Sequence, residues 1–378
     1  MSRLFLFGFS AFVHVYVALR LFPALAAWTP AQVLLGLWLP VSALLMPLSL
    51  MLRRAQGRGS DVLAWTGMLL MGLFSSMFVL TVLRDLASLV LGVLYWALAQ
   101  PVPAAWGPDS ALFVLSGALL ASLFGLLNAR RTAAVVRVDV PIANLPEALQ
   151  GFTIAQISDV HVGPTIKAPY VQAIVAAVNR LNADMVAVTG DLVDGGVAEL
   201  QRHVAPLAGL DSRHGTFFVT GNHEYYSGAP AWVAELRRLG MRVLMNEHVV
   251  LDHDNAALVV AGVTDFSAGH FDPAQRSDPH AALAGAPQAG ARLLLAHQPR
   301  SAAVAAQAGF DLQLSGHTHG GQFWPWNHFV RFQQPFTAGL HRLQGLWIYI
   351  SRGTGYWGPP KRFGAPSEIT LLKLVRPA

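Results

Sequence analysis

Five short polar clusters follow one another in the second half of the chain. They are Asp159-Val160-His161, Gly190-Asp191, Gly221-Asn222-His223-Glu224, His297 and Gly316-His317-Thr318-His319. Asp, Asn and His hold divalent cations through carboxylate or amide oxygen and imidazole nitrogen. One such cluster would say little. Five of them between residues 159 and 319, each after an apolar run, describe a site for two metal ions built on strand ends.

The elements that must position these clusters are legible around them. Residues 152–158, 185–189, 216–220, 292–296 and 311–315 are short, apolar and bounded by Gly, Asp or His, which predicts buried strands. Between the first two, Val171, Ile174, Val175, Val178 and Leu181 fall at helical spacing after Pro169, a residue suited to a first helical turn. Further helices are expected over 231–239 and 301–308, and further strands over 135–140, 257–263, 346–350 and 368–374. Strands alternating with helices argue for an α/β domain, in which ligands gather at the carboxyl ends of strands.

The order D-x-H, G-D-x-x-D (Gly190, Asp191, Asp194), G-N-H-E, H, G-H-T-H resembles the calcineurin-like metallophosphoesterases. The extended form, Gly316 to Gln322, is similar to that of membrane-associated bacterial phosphoesterases, a group that includes UDP-2,3-diacylglucosamine hydrolase of lipid A biosynthesis. The resemblance covers roughly residues 137–374 and implies a four-layer αββα sandwich with two mixed sheets. It implies that Asp159, His161 and His319 hold one metal, that Asn222, His297 and His317 hold the other, and that Asp191 bridges both. Two metals can clamp the attacking and leaving oxygens of an in-line displacement, with a hydroxide between them as nucleophile. His223 is left over from the ligand set. By resemblance it faces the substrate and protonates the leaving oxygen or steadies the phosphoryl group, a task suited to a group that titrates near neutrality. Asp194 and Glu224 are expected to orient ligands. No signature residue is missing, which argues for an active enzyme.

Other residues are less specific. The histidines outside the clusters, among them His203, His214, His248, His270 and His341, read as ordinary polar residues. Asp265 either lies near the site or ends a strand. Arg352 either binds phosphate as a bidentate donor or is a solvated surface residue. Phe323, Trp324, Trp326, Phe329, Phe332, Tyr356 and Trp357 either form a pocket wall or membrane lip or pack in loops and core.

Residues 1–131 are a different material. They contain no Lys and no Glu, and their arginines against Asp61, Asp85 and Asp109 account for the whole formal net charge of +5. The rest of the chain is neutral, so the basic balance reads as membrane topology, with no nucleic-acid partner expected. Spans near 4–27, 31–52, 62–83 and 110–128 are long and apolar enough to cross a bilayer. The first also has the look of a signal peptide, with Ala24-Leu25-Ala26 as its cleavage site, although the later spans favour a retained anchor. Residues 86–100 are apolar but short, and read as a helix extension or an interfacial segment. A fifth crossing there would move the catalytic domain to the other side. With four crossings, Arg3, Arg53, Arg54, Arg58, Arg130, Arg131 and Arg137 fall together on the cytoplasmic side.

The expected organisation is therefore a helical membrane region over 1–131 and a catalytic domain over 132–378. With zero cysteines, disulfides and thiolate ligands are excluded. The mixed Asp, Asn and His donors suit Mn²⁺ first, then Fe, Zn²⁺ or Mg²⁺. The function implied is a membrane-anchored, metal-dependent phosphodiester or pyrophosphate hydrolase, with a lipid-linked substrate favoured by the anchor. Broad hydrolysis of soluble phosphodiesters and a non-catalytic metal- and phosphate-binding sensor are the alternatives.

Overall fold

The computed structural model describes residues 3–51 and 58–377. It divides into two compact units: Met1–Leu127 with Gly358–Phe363, and Asn128–Trp357 with Gly364–Ala378. Arg53 and Arg54, used above for topology, lie outside the described residues.

The first unit holds four helices, α1 (Arg3–Leu21), α2 (Thr29–Met51), α3 (Arg58–Ala97) and α4 (Trp106–Arg130). All four are long and apolar enough to cross a membrane. The first ends at Leu21 rather than at 27, and a 3-10 turn over Ala24–Ala27 follows Pro23, which cannot extend a helical ladder. Helix α3 runs on through residues 86–97 without a break. Its 40 residues make it about 60 Å long, roughly twice the hydrocarbon thickness of a bilayer. Charges inside these helices find partners: Asp85 on α3 accepts from Arg20 Nε at 2.8 Å and from Tyr16 Oη at 2.7 Å. The helices meet at Val17, Leu21, Leu35, Leu39, Phe74 and Met77 and leave Leu4, Phe12, Leu34 and Phe113 exposed, as an apolar solvent requires.

Residues 358–363 belong to this helical unit although they come late in the chain. Lys361 is buried there, and its Nζ donates to Gly72 O (2.9 Å), Ser76 Oγ (2.5 Å) and Ser122 Oγ (3.0 Å). The slot exists because Gly125 has no side chain: a Cβ there would fall 2.5 Å from Lys361 Cγ.

The second unit runs, in chain order, β1 (Ala134–Pro141), β2 (Thr153–Ile157), α5 (Ala168–Asn179), β3 (Met185–Val188), α6 (Val197–Val204), β4 (Thr216–Phe218), α7 (Asn222–Ser227), α8 (Ala229–Arg238), β5 (Arg242–Val243), β6 (Glu247–His253), β7 (Ala256–Gly262), α9 (Pro279–Leu283), β8 (Ala291–Leu295), α10 (Ala302–Ala308), β9 (Leu312–Ser315), β10 (Gly339–Leu343), β11 (Leu346–Ile350) and β12 (Glu368–Val375). Two six-stranded sheets form, in the orders β1-β12-β2-β3-β4-β5 and β10-β11-β9-β8-β7-β6. Both are mixed: β12 runs antiparallel to β2, β6 to β7 and β10 to β11, and the rest are parallel.

Apolar residues on both faces of the strands explain the layering. Ile154, Phe217, Leu258, Leu293, Leu314 and Leu372 fill the space between the sheets. Val171 and Ile174 of α5, Leu200 of α6 and Leu236 of α8 cover the outer face of the first sheet. Ala282 of α9 with Ala302 and Ala305 of α10 cover the second. The result is the four-layer αββα sandwich. Strands β2, β3, β4, β8 and β9 all end, at their carboxyl termini, where the polar clusters begin.

Candidate metal centre

The turns that leave these strands are shaped for close approach. Asp159, His161, Asp191, His317 and His319 all have left-handed backbones, with φ between 51° and 72°. Such conformations are uncommon for non-glycine residues and cluster where function demands them. Two neighbouring glycines are fixed by contact. A Cβ on Gly221 would lie 2.2 Å from Asp191 Oδ1, and one on Gly316 would lie 2.2 Å from Asp159 Oδ2.

Three sets of donor atoms converge: Asp159, His161 and His319; Asp191, His297 and His317; and His161, Asp194 and His223, the atoms of each set within 4.8 Å of one another. His161 Nε2 is 3.0 Å from His319 Nε2, His297 Nε2 is 3.2 Å from His317 Nδ1, and His297 Nε2 is 3.0 Å from Asp191 Oδ2. Nitrogens so close can share one ion at ligand distances of about 2.1 Å. Asn222 Oδ1 is buried without a hydrogen-bond partner, an orphaned acceptor of the kind a cation satisfies. The residues therefore fit a pair of divalent metals. Both oxygens of Asp191 are engaged: Oδ1 accepts from the His223 amide at 2.8 Å, while Oδ2 faces His297 at 3.0 Å.

The surroundings hold these groups in place. His297 Nδ1 donates to Thr189 O at 2.7 Å, which turns Nε2 towards Asp191. Asp159 accepts the His317 amide on both oxygens at 3.0 Å. Glu224 is buried and accepts the amides of Gly221 (2.6 Å), Leu192 (2.7 Å) and Asp191 (2.9 Å), so it caps α7 and ties together the turns after β3 and β4. Asp194 Oδ1 accepts from His161 Nδ1 at 3.2 Å and from His223 Nδ1 at 2.5 Å.

Electrostatics divides the groups. Burial pushes the Asp191 carboxyl up, but His297 and His223 outweigh it and hold it well below the usual carboxylate range. Burial would lower His297, and the same Asp191 partner raises it well above an ordinary histidine. Burial and then His297 push His317 down to about 3, which keeps it neutral. Burial and Asp191 push the Glu224 carboxyl up to about 8, against the amides that favour its charged form.

All seven candidate ligands, with His223, Asp194 and Glu224, thus meet in one place. Asp265 lies beside them: it is buried, and Gln298, the neighbour of His297, donates to both its oxygens at 3.1 Å. Arg352 packs next to Gly320 of the last motif, where its Nη1 is paired with Glu368 Oε2 at 2.9 Å. Sequence reasoning did not single out Tyr226 and Phe271. Tyr226 touches the His223 ring edge-on at 5.2 Å, and Phe271 packs on Tyr226. The signal for Tyr226 was present, since residues three apart on a helix are neighbours and α7 begins at Asn222.

Comparison with known proteins agrees with this geometry. Residues 152–321 match the model of the calcineurin-like phosphoesterase family. The chain is 37% identical over 274 residues to a transmembrane protein with metallophosphoesterase domain from Danio rerio, covering 70% of this chain and 62% of that one. The protein of the same name from Bos taurus is 41% identical, covering 67% and 60%. An uncharacterized metallophosphoesterase of Campylobacter jejuni is 35% identical, covering 70% and 69%. The match therefore spans about three fifths of the two vertebrate relatives' length. On these matches and this fold, the chain belongs to the calcineurin-like phosphoesterase family.

Proposed function

We propose that the chain is a membrane-anchored, two-metal phosphoesterase that hydrolyses a phosphodiester or pyrophosphate bond. The observation that carries this reading is the pair of three-residue donor sets, Asp159, His161 and His319 and Asp191, His297 and His317, together with the orphaned Asn222 oxygen and with His223 beside Asp191. Asp159, His161, His319 and Asp191 would hold one ion, and Asn222, His297, His317 and Asp191 the other. When bound, two divalent ions supply a hydroxide nucleophile near neutral pH and neutralise charge that builds on phosphoryl oxygens. Manganese is the first choice for this donor set.

The chain's own residues do the rest. Asp194 holds His223 through Nδ1, so Nε2 is free to face the site, 4.0 Å from Asp191 Oδ2. From there it hands a proton to the leaving oxygen. Glu224 keeps the backbone of Gly221, Asp191 and Leu192 in register, so Asn222 and Asp191 stay aligned without moving during the reaction.

The four apolar helices favour a substrate at the bilayer, because tethering raises its effective concentration. A nucleotide-linked lipid precursor such as UDP-2,3-diacylglucosamine is the specific candidate, and four crossings would place the catalytic unit on the cytoplasmic side. The experiment is UMP release from that lipid by the purified full chain with Mn²⁺. UMP release supports the lipid reading. Cleavage of a generic aryl phosphodiester without UMP release replaces it with broad phosphodiester hydrolysis, the membrane part serving as anchor only.

A further inference from the structure

Two exposed aromatic rings flank the histidine proposed as proton donor, and a third extends the surface from one of them. Tyr226 is 49% exposed, Trp357 45% and Phe271 50%, whereas the His223 side chain between them is only 13% exposed. Tyr226 meets the His223 ring at 5.2 Å and 67°, and Trp357 meets it at 5.7 Å and 74°. Phe271 extends the surface from Tyr226 at 5.7 Å.

These rings are held in place. Tyr226 sits three residues after His223 on α7, so one helix face sets both. Trp357 is clamped by Gln322 of the last metal motif: Trp357 N donates to Gln322 Oε1 and Gln322 Nε2 donates to Trp357 O, both at 2.9 Å. Phe271 also packs on Tyr225 at 5.5 Å, and Tyr225 Oη donates to Gln275 at 2.9 Å. Large aromatic surface left in water costs free energy unless something covers it. Its place says what does. A group bonded to an oxygen within reach of His223 would meet the Tyr226 and Trp357 rings first.

We infer that Tyr226, Trp357 and Phe271 form the leaving-group subsite, and that it takes a flat ring, aryl or nucleobase. This rests on the phosphoesterase reading above and narrows its substrate class to phosphoesters whose leaving group carries such a ring. Aromatic pairs gain from edge and face contacts beyond simple burial, which a saturated group of equal size does not offer. In the step, water gives up one proton to solvent and adds as hydroxide to phosphorus, the P–O bond to the ring-bearing group breaks, the leaving oxygen takes the His223 proton, and His223 regains a proton from solvent. The nucleotide half of a nucleotide-linked precursor has this chemistry.

Binding of three phosphonates to the Mn²⁺-loaded full chain, by calorimetry in detergent, tests this without turnover. Phenylphosphonate should bind about tenfold tighter than methylphosphonate and several-fold tighter than cyclohexylphosphonate, which matches its bulk but not its flatness. In Trp357→Ala and in Tyr226→Leu, the phenyl-to-methyl preference should fall to under about threefold. Equal binding of phenyl and methyl by the wild type, cyclohexyl binding as tight as phenyl, or an unchanged preference in both variants would overturn the subsite. A chain that binds none of the three would refute the metal-centre reading itself, and the subsite with it.

Discussion

Asp194 Oδ1 lies 2.5 Å from His223 Nδ1 and 3.2 Å from His161 Nδ1, so one carboxylate oxygen orients both the proposed proton donor and a candidate metal ligand. Asp194→Asn should therefore lower kcat by about 10–100-fold at saturating Mn²⁺, the usual cost of losing such an outer partner. Steady-state kinetics with an aryl phosphodiester measures it. An unchanged kcat would remove Asp194 from the machinery.

The Asn222 oxygen is buried with no hydrogen-bond partner among the described residues, and a metal is the partner proposed for it. Asn222→Ala should leave the chain folded but bind close to one metal instead of two, read by elemental analysis after gel filtration in Mn²⁺. Retention of two metals would show that this oxygen is not a ligand.

Gly316 permits the close approach of Asp159, since a Cβ there would lie 2.2 Å from its Oδ2 and 2.0 Å from Ser158 Oγ. Gly316→Ala should destabilise the unit by about 1–3 kcal/mol, as overpacking does, and abolish metal binding at the Asp159 side. Thermal unfolding with metal analysis checks both. A stable, fully loaded variant would contradict the geometry.

Away from the site, His214 Nε2 and His253 Nδ1 face each other at 3.0 Å beside Phe152. Burial, then His253 and Arg213, lower the His214 pKa, while Asp184 and Asp254 oppose them. The folded state thus binds this proton less readily than the unfolded one. The contribution of neutral His214 is present above the unfolded value near 6.5 and is lost as pH falls through the lower folded value. Thermal unfolding should show the wild type losing stability more steeply than His214→Gln as pH falls below about 6.5. Parallel curves would count against the pair.

Lys361 supplies three hydrogen bonds inside the helical unit. Lys361→Met keeps most of the volume and removes the donors, which should cost about 1–3 kcal/mol, visible as a lower melting temperature in detergent. An unchanged melting temperature would show that the lysine does not tie α3 to α4.

Much of this was legible beforehand, for physical reasons. Buried strands such as Met185–Val188 and Ala291–Leu295 announce themselves as apolar runs, and metal-ligand chemistry permits few residue types, so Asp159 and His317 stand out. Strand β6 escaped because its sequence, EHVVLDH, has only a three-residue apolar run between polar pairs, at a sheet edge where charge is favoured. Helix α6 escaped because only Leu200 and Val204 bury its apolar face. The role of Gly358–Phe363 in the helical unit was hidden because a lysine read from sequence suggests a surface, and only Gly72, Ser76, Gly125 and Ser122, far away in the chain, make its slot. Phe271 follows a short 3-10 turn with no periodic signal, so nothing local ties it to His223.

The central claim is that Asp191 joins two metals into one hydrolytic site. The most direct measurement is metal content and aryl phosphodiester turnover of the purified full chain and of Asp191→Asn, side by side in Mn²⁺. Two metals per chain with turnover are expected for the wild type, and loss of at least one metal with turnover down about a thousandfold or more for the variant. Equal turnover by the two proteins, or a wild type that holds two metals and hydrolyses no phosphoester, would contradict it.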